Sequence, residues 1–202
     1  MTVAVVSVSR PVPKSLIKKG AKVTFILALV FALLPAADGL WMYGKAQLAQ
    51  QLLQNAWQKT LINTGEESKK VRPWPWADHW PVARLRWQAG DQDLLVLHGA
   101  HGASLAFAPG MTVAANGGRL ISAHRDTHFQ FLKDLKIGDQ IQIQNNNGQW
   151  QSWQAQVIEI HNINEHQLWV AEEELVLISC YPFDQIEAGG PLRYVLRLRK
   201  VT

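Results

Sequence analysis

Cysteine is all but missing from this chain, since Cys180 is the single thiol among 202 residues. A lone thiol forms no intramolecular disulfide and no thiolate metal cluster, which leaves it two roles, apolar filler or nucleophile. Acidic residues are also missing from the leading segment, where none occurs before Asp38 while Arg10, Lys14, Lys18, Lys19 and Lys22 stand uncompensated. The rest of the chain, residues 39–202, carries as many basic as acidic residues. The net charge of +4 therefore belongs to the leading segment and does not argue for nucleic acid as a partner. Internal repeats and low-complexity tracts are absent as well. With 48% hydrophobic and 18% charged residues, the composition excludes a disordered chain, and the length suits one mid-sized domain plus a short extra element.

What is present first is a membrane signature. Residues 23–37 hold no charge, and apolar character resumes after Asp38 through Leu40, Trp41, Met42 and Tyr43. Residues 23–43 thus match the roughly 20 that a helix needs to cross a bilayer, with Trp41 and Tyr43 where interfacial aromatics sit. The expected organisation is a basic cytoplasmic tail over residues 1–22, a transmembrane signal anchor over 23–43, a juxtamembrane helix and linker over 44–72, and a β domain over 73–202. Pro35-Ala36-Ala37 leaves a cleaved signal peptide as the competing reading. In either case the excess of Lys and Arg on the leading side sends residue 44 onward out of the cytoplasm.

Residues 45–62 place Leu48, Leu52, Ala56, Trp57 and Leu61 near helical spacing without Gly or Pro, the pattern of an amphipathic helix packed on the domain or serving as a stalk. A polar linker follows at 63–70. In residues 72–84, Pro73, Pro75 and Pro81 exclude a regular helix, and Trp74, Trp76 and Trp80 supply packing area, so this reads as an extended strap. Short strands are expected at 82–87, 94–98, 119–123, 140–144, 150–161, 174–180 and 193–201, with Asn146-Asn147-Gly148 as a hairpin turn. Residues 175–178 are continuously apolar, as in a strand buried on both faces. About seven strands and few helices indicate a mainly β sandwich or closed barrel.

A thiol attacks a carbonyl as thiolate, so it wants an imidazole to exchange a proton with and a donor for the oxyanion. His124 and Cys180 each end an expected strand, and Arg193 begins the last one. A guanidinium there offers five donors and a permanent charge. The residues alone leave an inert buried thiol open, since free cysteines are usually of that kind.

Ile121-Ser-Ala-His-Arg-Asp-Thr-His-Phe129, Leu132-Lys-Asp-Leu-Lys-Ile-Gly-Asp139, Leu177-Ile-Ser-Cys-Tyr-Pro-Phe183 and Leu192-Arg-Tyr-Val195 together resemble the sortases, membrane-anchored cysteine transpeptidases of bacteria. The strap, Pro73-Trp-Pro-Trp-Ala-Asp78 and Trp80-Pro-Val-Ala-Arg-Leu85, is similar to the proteobacterial branch. The resemblance implies an eight-stranded closed β-barrel with short helices and an active site at its rim. It assigns His124, Cys180 and Arg193 as the catalytic residues, with a backbone amide near Tyr181 helping to hold the oxyanion. The implied partners are a secreted protein with a C-terminal sorting signal of the Leu-Pro-x-Thr-Gly type and an amine acceptor in the cell envelope. No cofactor is implied, because the thioacyl bond conserves the acyl energy. Val176 and Ser179 stand where members commonly carry threonine. Val176 is expected to be packing, and Ser179 keeps the hydroxyl.

Other readings of single motifs stay open. His124 and His128, four apart, and His98 and His101 are conceivable zinc pairs, although Arg125 stands where a metalloprotease helix would carry its glutamate. Glu172-Glu173-Glu174 reads as a solvated turn or a calcium loop. Asp126 and His128 are candidates to orient His124. At the level of function, a non-catalytic peptide-binding barrel and a plain cysteine endopeptidase are the alternatives to a transpeptidase.

Overall fold

The computed structural model describes residues 14–62, 70–185 and 189–201. The chain divides into two compact units, Met1–Gln47 and Leu48–Thr202. Helix α1 (Lys14–Ile62) begins in the first unit and runs unbroken into the second. An anchor helix and a separate juxtamembrane helix were expected, but the two are one element. Pro35 removes a single backbone donor, and nothing else between Val23 and Ile62 stops the helix. In the first unit the Lys45 ammonium lies over the Trp41 ring, 5.3 Å from its centroid, and Leu40, Trp41, Met42 and Tyr43 are exposed. Among the described residues no helix is long and apolar enough to cross a membrane. Of the expected cytoplasmic tail, residues 1–13 lie outside the described residues, as do residues 63–69 of the linker.

The second unit is a barrel of eight strands, β1 (Pro81–Trp87), β2 (Gln92–His98), β3 (Gly110–Val113), β4 (Arg119–Ser122), β5 (Gln140–Asn145), β6 (Trp150–Asn162), β7 (Glu174–Cys180) and β8 (Leu192–Lys200). It closes in the order β1-β2-β3-β4-β7-β8-β6-β5. The β2–β3 and β4–β7 pairs are parallel and the rest antiparallel. One helical turn, α2 (Gly102–Leu105), lies between β2 and β3, and 3-10 turns occupy Gln88–Gly90 and Gln130–Asp134. All seven strands expected from sequence are present. The eighth, β3, was not among them: only Met111 and Val113 of its four residues are large and apolar, and it starts at a glycine. Its first residue, Gly110, runs so close to the Gly99 carbonyl that any side chain would collide there.

Alternation along the strands builds the interior. Leu85, Val96, Ile121, Ala123, Ile141, Ile143, Leu175, Leu177, Leu196 and Leu198 fill the barrel together with Phe129 and Phe131. Two strands have apolar outer faces as well, and each has its own cover. On β2, Leu95 and Leu97 point outward and are buried under Leu53 and Trp57 of α1. The Gln50 side-chain amide of the same helix donates to the Phe107 carbonyl at 2.7 Å. On β7, Val176 packs outside with Val195 of β8 and with Leu168 and Val170 of the segment that joins β6 to β7. Val176 is therefore packing, as expected, and a hydroxyl there would have been buried without need.

The strap is less extended than its prolines suggest. The Ala77 amide donates to the Trp74 carbonyl at 3.0 Å, making a turn. His79 is buried between Trp74 and Phe107, with each ring centroid 5.3 Å away, and Asp78 sits 2.9 Å from its Nδ1. Trp76 is left exposed.

Candidate active site

The positions of Cys180, His124 and Arg193 follow from strand register. Cys180 is the last residue of β7 and pairs with Arg193 on β8. On the other side of β7, Ser122 of β4 pairs with Ile178 in parallel register. Beyond that pair the chain stays stitched for another residue. The Ala123 amide donates to the Ile178 carbonyl at 3.2 Å, and the Ser179 hydroxyl donates to the Ala123 carbonyl at 2.9 Å. Counting on by one brings His124 level with Cys180. Cys180 thus pairs with Arg193 at one end of β7 and β8, and His124 follows two residues after the end of β4 on the other side of β7.

Parity fixes the face. Ile121 of β4 and Ala123 just after it, Leu175 and Leu177 of β7, and Tyr194, Leu196 and Leu198 of β8 point into the barrel. Side chains alternate along a strand, so Cys180 of β7 and Arg193 of β8 project from the outer wall, while His124 lies two residues past the end of β4. Cys180 and Arg193 share that wall with the apolar patch of Leu120, Val176, Ile178 and Val195. The thiol is half-buried and His124 is exposed. No hydrogen bond joins His124, Cys180 and Arg193 to one another among the described residues. The Arg193 guanidinium instead uses Nη1 to hold the carbonyls of Gly190 at 2.7 Å and Leu192 at 2.9 Å, and among the described residues Nε and Nη2 have no acceptor.

One expected part of the site is otherwise employed. The Tyr181 amide donates to the Leu192 carbonyl at 3.1 Å, and Pro182 has no N–H, so neither supplies an oxyanion donor in this arrangement. The Arg193 guanidinium, across from Cys180 in the β7–β8 pairing, offers such donors.

The residues around His124 are not helical. Residues 124–129 form a turn closed by the Phe129 amide on the His124 carbonyl at 3.0 Å, so His124 and His128 do not share the helix face that a zinc pair would use. They are nonetheless close. Burial, with the charge of His124 added to it, holds the His128 pKa below the usual imidazole value. Asp126 is exposed. His98 lies flat against Trp80 with 4.2 Å between ring centroids. Among the described residues no three of His, Cys, Asp and Glu stand together as metal ligands. In the acidic triplet, Glu174 is engaged by Arg197 at 3.0 Å and by the Ala171 amide at 2.8 Å, which makes it a structural carboxylate.

Arg125 is the residue that sequence reasoning undervalued. It follows His124, is buried, and its Nη2 donates to the Gln185 carbonyl in the β7–β8 connection at 2.8 Å. The signal in the sequence is a charged residue directly after the candidate histidine.

Comparison with known proteins bears on the whole domain. A family profile described as Sortase domain matches residues 86–201, more than half of the chain. Sortase D of Bacillus subtilis (strain 168) is 30% identical over 89 residues, which are 43% of this chain and 44% of that protein. The chain therefore aligns with less than half the length of that relative. Among solved structures, Sortase A from Corynebacterium diphtheriae superposes with a TM-score of 0.54 at 20% identity, covering 78% of this chain and 82% of that one. A Sortase D5 transpeptidase from Clostridium perfringens superposes with a TM-score of 0.58 at 16% identity, covering 77% and 99%. At these identities the two structures speak for the fold.

Proposed function

The chain belongs to the sortase family, and on that premise we propose that it is a membrane-anchored cysteine transpeptidase with Cys180, His124 and Arg193 as its catalytic residues. The observation that supports the proposal is the pairing of Cys180 with Arg193 across β7 and β8, with exposed His124 two residues beyond the end of β4, the strand that pairs with β7 on its other side.

In this reading the Cys180 thiolate attacks the scissile carbonyl of a C-terminal sorting signal of the Leu-Pro-x-Thr-Gly type. The oxyanion is met by the free nitrogens of Arg193, because the neighbouring backbone amide is committed elsewhere. Collapse breaks the peptide bond, and protonated His124 gives its proton to the departing amine. The thioacyl enzyme remains. An amine of the cell envelope then attacks the thioester, His124 takes its proton, and the thiolate leaves with the new amide formed.

The basic leading segment and the apolar residues 23–43 support a single-pass anchor in the bacterial inner membrane, with the N-terminus inside and the catalytic domain outside the cytoplasm. The tryptophan-rich strap, Pro73 to Arg84, supports the proteobacterial branch.

The test supplies the purified chain with fluorogenic peptides of the Leu-Pro-x-Thr-Gly type and excess hydroxylamine as acceptor. The expected result is a thioacyl mass adduct on Cys180 and a hydroxamate product, both abolished by Cys180→Ala. A product that carries only water despite excess amine refutes transpeptidation, and turnover without an adduct at Cys180 refutes the nucleophile.

A further inference from the structure

We propose that Arg125 is a positioning residue for this reaction, which locks His124 and the β7–β8 connection into one frame around Cys180. The inference rests on the site reading given above.

The residues on either side of His124 are both buried, while His124 itself is exposed. Each of those neighbours is bonded to a residue on one side of Cys180. Before it, the Ala123 carbonyl accepts from the Ser179 hydroxyl at 2.9 Å. After it, Arg125 Nη2 donates to the Gln185 carbonyl at 2.8 Å. The imidazole is thus carried on a short bridge whose two ends are fastened to the two flanks of the nucleophile.

The local turn cannot do this alone, because its closing bond from Phe129 to His124 lies wholly within residues 124–129. The Ser179 bond fixes the incoming end of the bridge, and the outgoing end is held through Arg125. Only 6% of Arg125 is exposed, and burying a guanidinium is costly where an apolar side chain could fill the same space. Its rigid fork is suited to gripping a carbonyl with little further loss of freedom. The grip also reaches the stretch that follows Cys180, so the same residue ties the base to the far flank of the nucleophile.

A displacement of about 1 Å in a reacting group can cost on the order of 100-fold in rate. The test therefore measures kcat, KM and the pH–rate profile of thioacyl formation for the full chain, Arg125→Met and Arg125→Lys, beside Cys180→Ala. Melting temperature and hydrogen exchange of residues 179–185 are followed in the same samples. For Arg125→Met we expect kcat to fall by about 30-fold with KM within about threefold, an altered pH profile, and faster exchange at 181–185, in line with such misplacement. Arg125→Lys, which keeps the charge but not the fork, should lose about fivefold and serves if the Met variant does not fold. Either folded variant with kcat within twofold of the parent and an unchanged pH profile overturns the proposal. A parent chain that forms no adduct on Cys180 instead overturns the site reading itself and takes this inference down with it.

Discussion

Arg197 of β8 is the hub on which the β6–β7 segment hangs, and its removal has a calculable cost. Its Nε donates to Glu159 of β6 at 2.9 Å, and its Nη1 donates both to Glu174 of β7 and to the Trp169 carbonyl, at 3.0 Å each. Glu174 in turn accepts the Ala171 amide at 2.8 Å. Burial works against the guanidinium charge, but Glu159 and Glu174 outweigh it and raise the Arg197 pKa above the usual arginine value. The Glu159 side chain is 38% exposed, so that arm is screened and contributes about 0–1 kcal/mol. Glu174 is only 13% exposed. Stranding its carboxylate forfeits a charge-assisted bond of about 1.5–3 kcal/mol. Arg197→Met keeps the stem packing and should therefore cost about 2–3 kcal/mol. For a domain of this size that is a fall in Tm of roughly 5–10 °C. Calorimetry reads the cost directly. A double-mutant cycle with Glu174→Gln should return a coupling of about 1 kcal/mol or more. Limited proteolysis should cut first near the exposed Trp169. A Tm within 1 °C of the parent, or strict additivity in the cycle, refutes the reasoning.

Two further outcomes follow from bonds and charges already described. Ser179→Ala removes the hydroxyl that holds the Ala123 carbonyl and should cost about 1–2 kcal/mol together with slower thioacyl formation, whereas Ser179→Thr should retain both; denaturant melts and burst kinetics check this, and an Ala variant equal to the parent contradicts it. His128 has a folded pKa lowered by burial and by His124, so the unfolded chain takes up a proton that the fold resists. Its contribution to stability is complete above the unfolded pKa, near 6.5, and is lost as the pH falls below that value towards the folded pKa. His128→Gln should flatten the decline of Tm between about pH 7 and pH 5, and two parallel curves speak against the assignment.

Much of this molecule can be read from residue order because its strands are strongly patterned. Residues 175–178 announced a strand with two apolar faces, and β7 is covered by the barrel interior on one side and by Val170 and Leu168 on the other. Cys180, His124 and Arg193 were legible as residues at or just past strand ends, and register then pairs Cys180 with Arg193. What residue order could not convey was how backbone groups are spent. The Tyr181 amide looks available in sequence, yet the pairing of β7 with β8 gives it to Leu192. Nor could it tell that Arg125 turns inward to Gln185, since that contact spans 60 positions. Strand β3 escaped because a close backbone approach at Gly110, rather than any pattern, defines it.

The docking of Leu53 and Trp57 onto Leu95 and Leu97 has a practical corollary for anyone preparing this domain. Cutting the chain at the start of the tryptophan-rich strap strips a greasy strip of β2 bare, inviting self-association. A soluble fragment that begins at Leu48 carries its own cover and is the safer starting material.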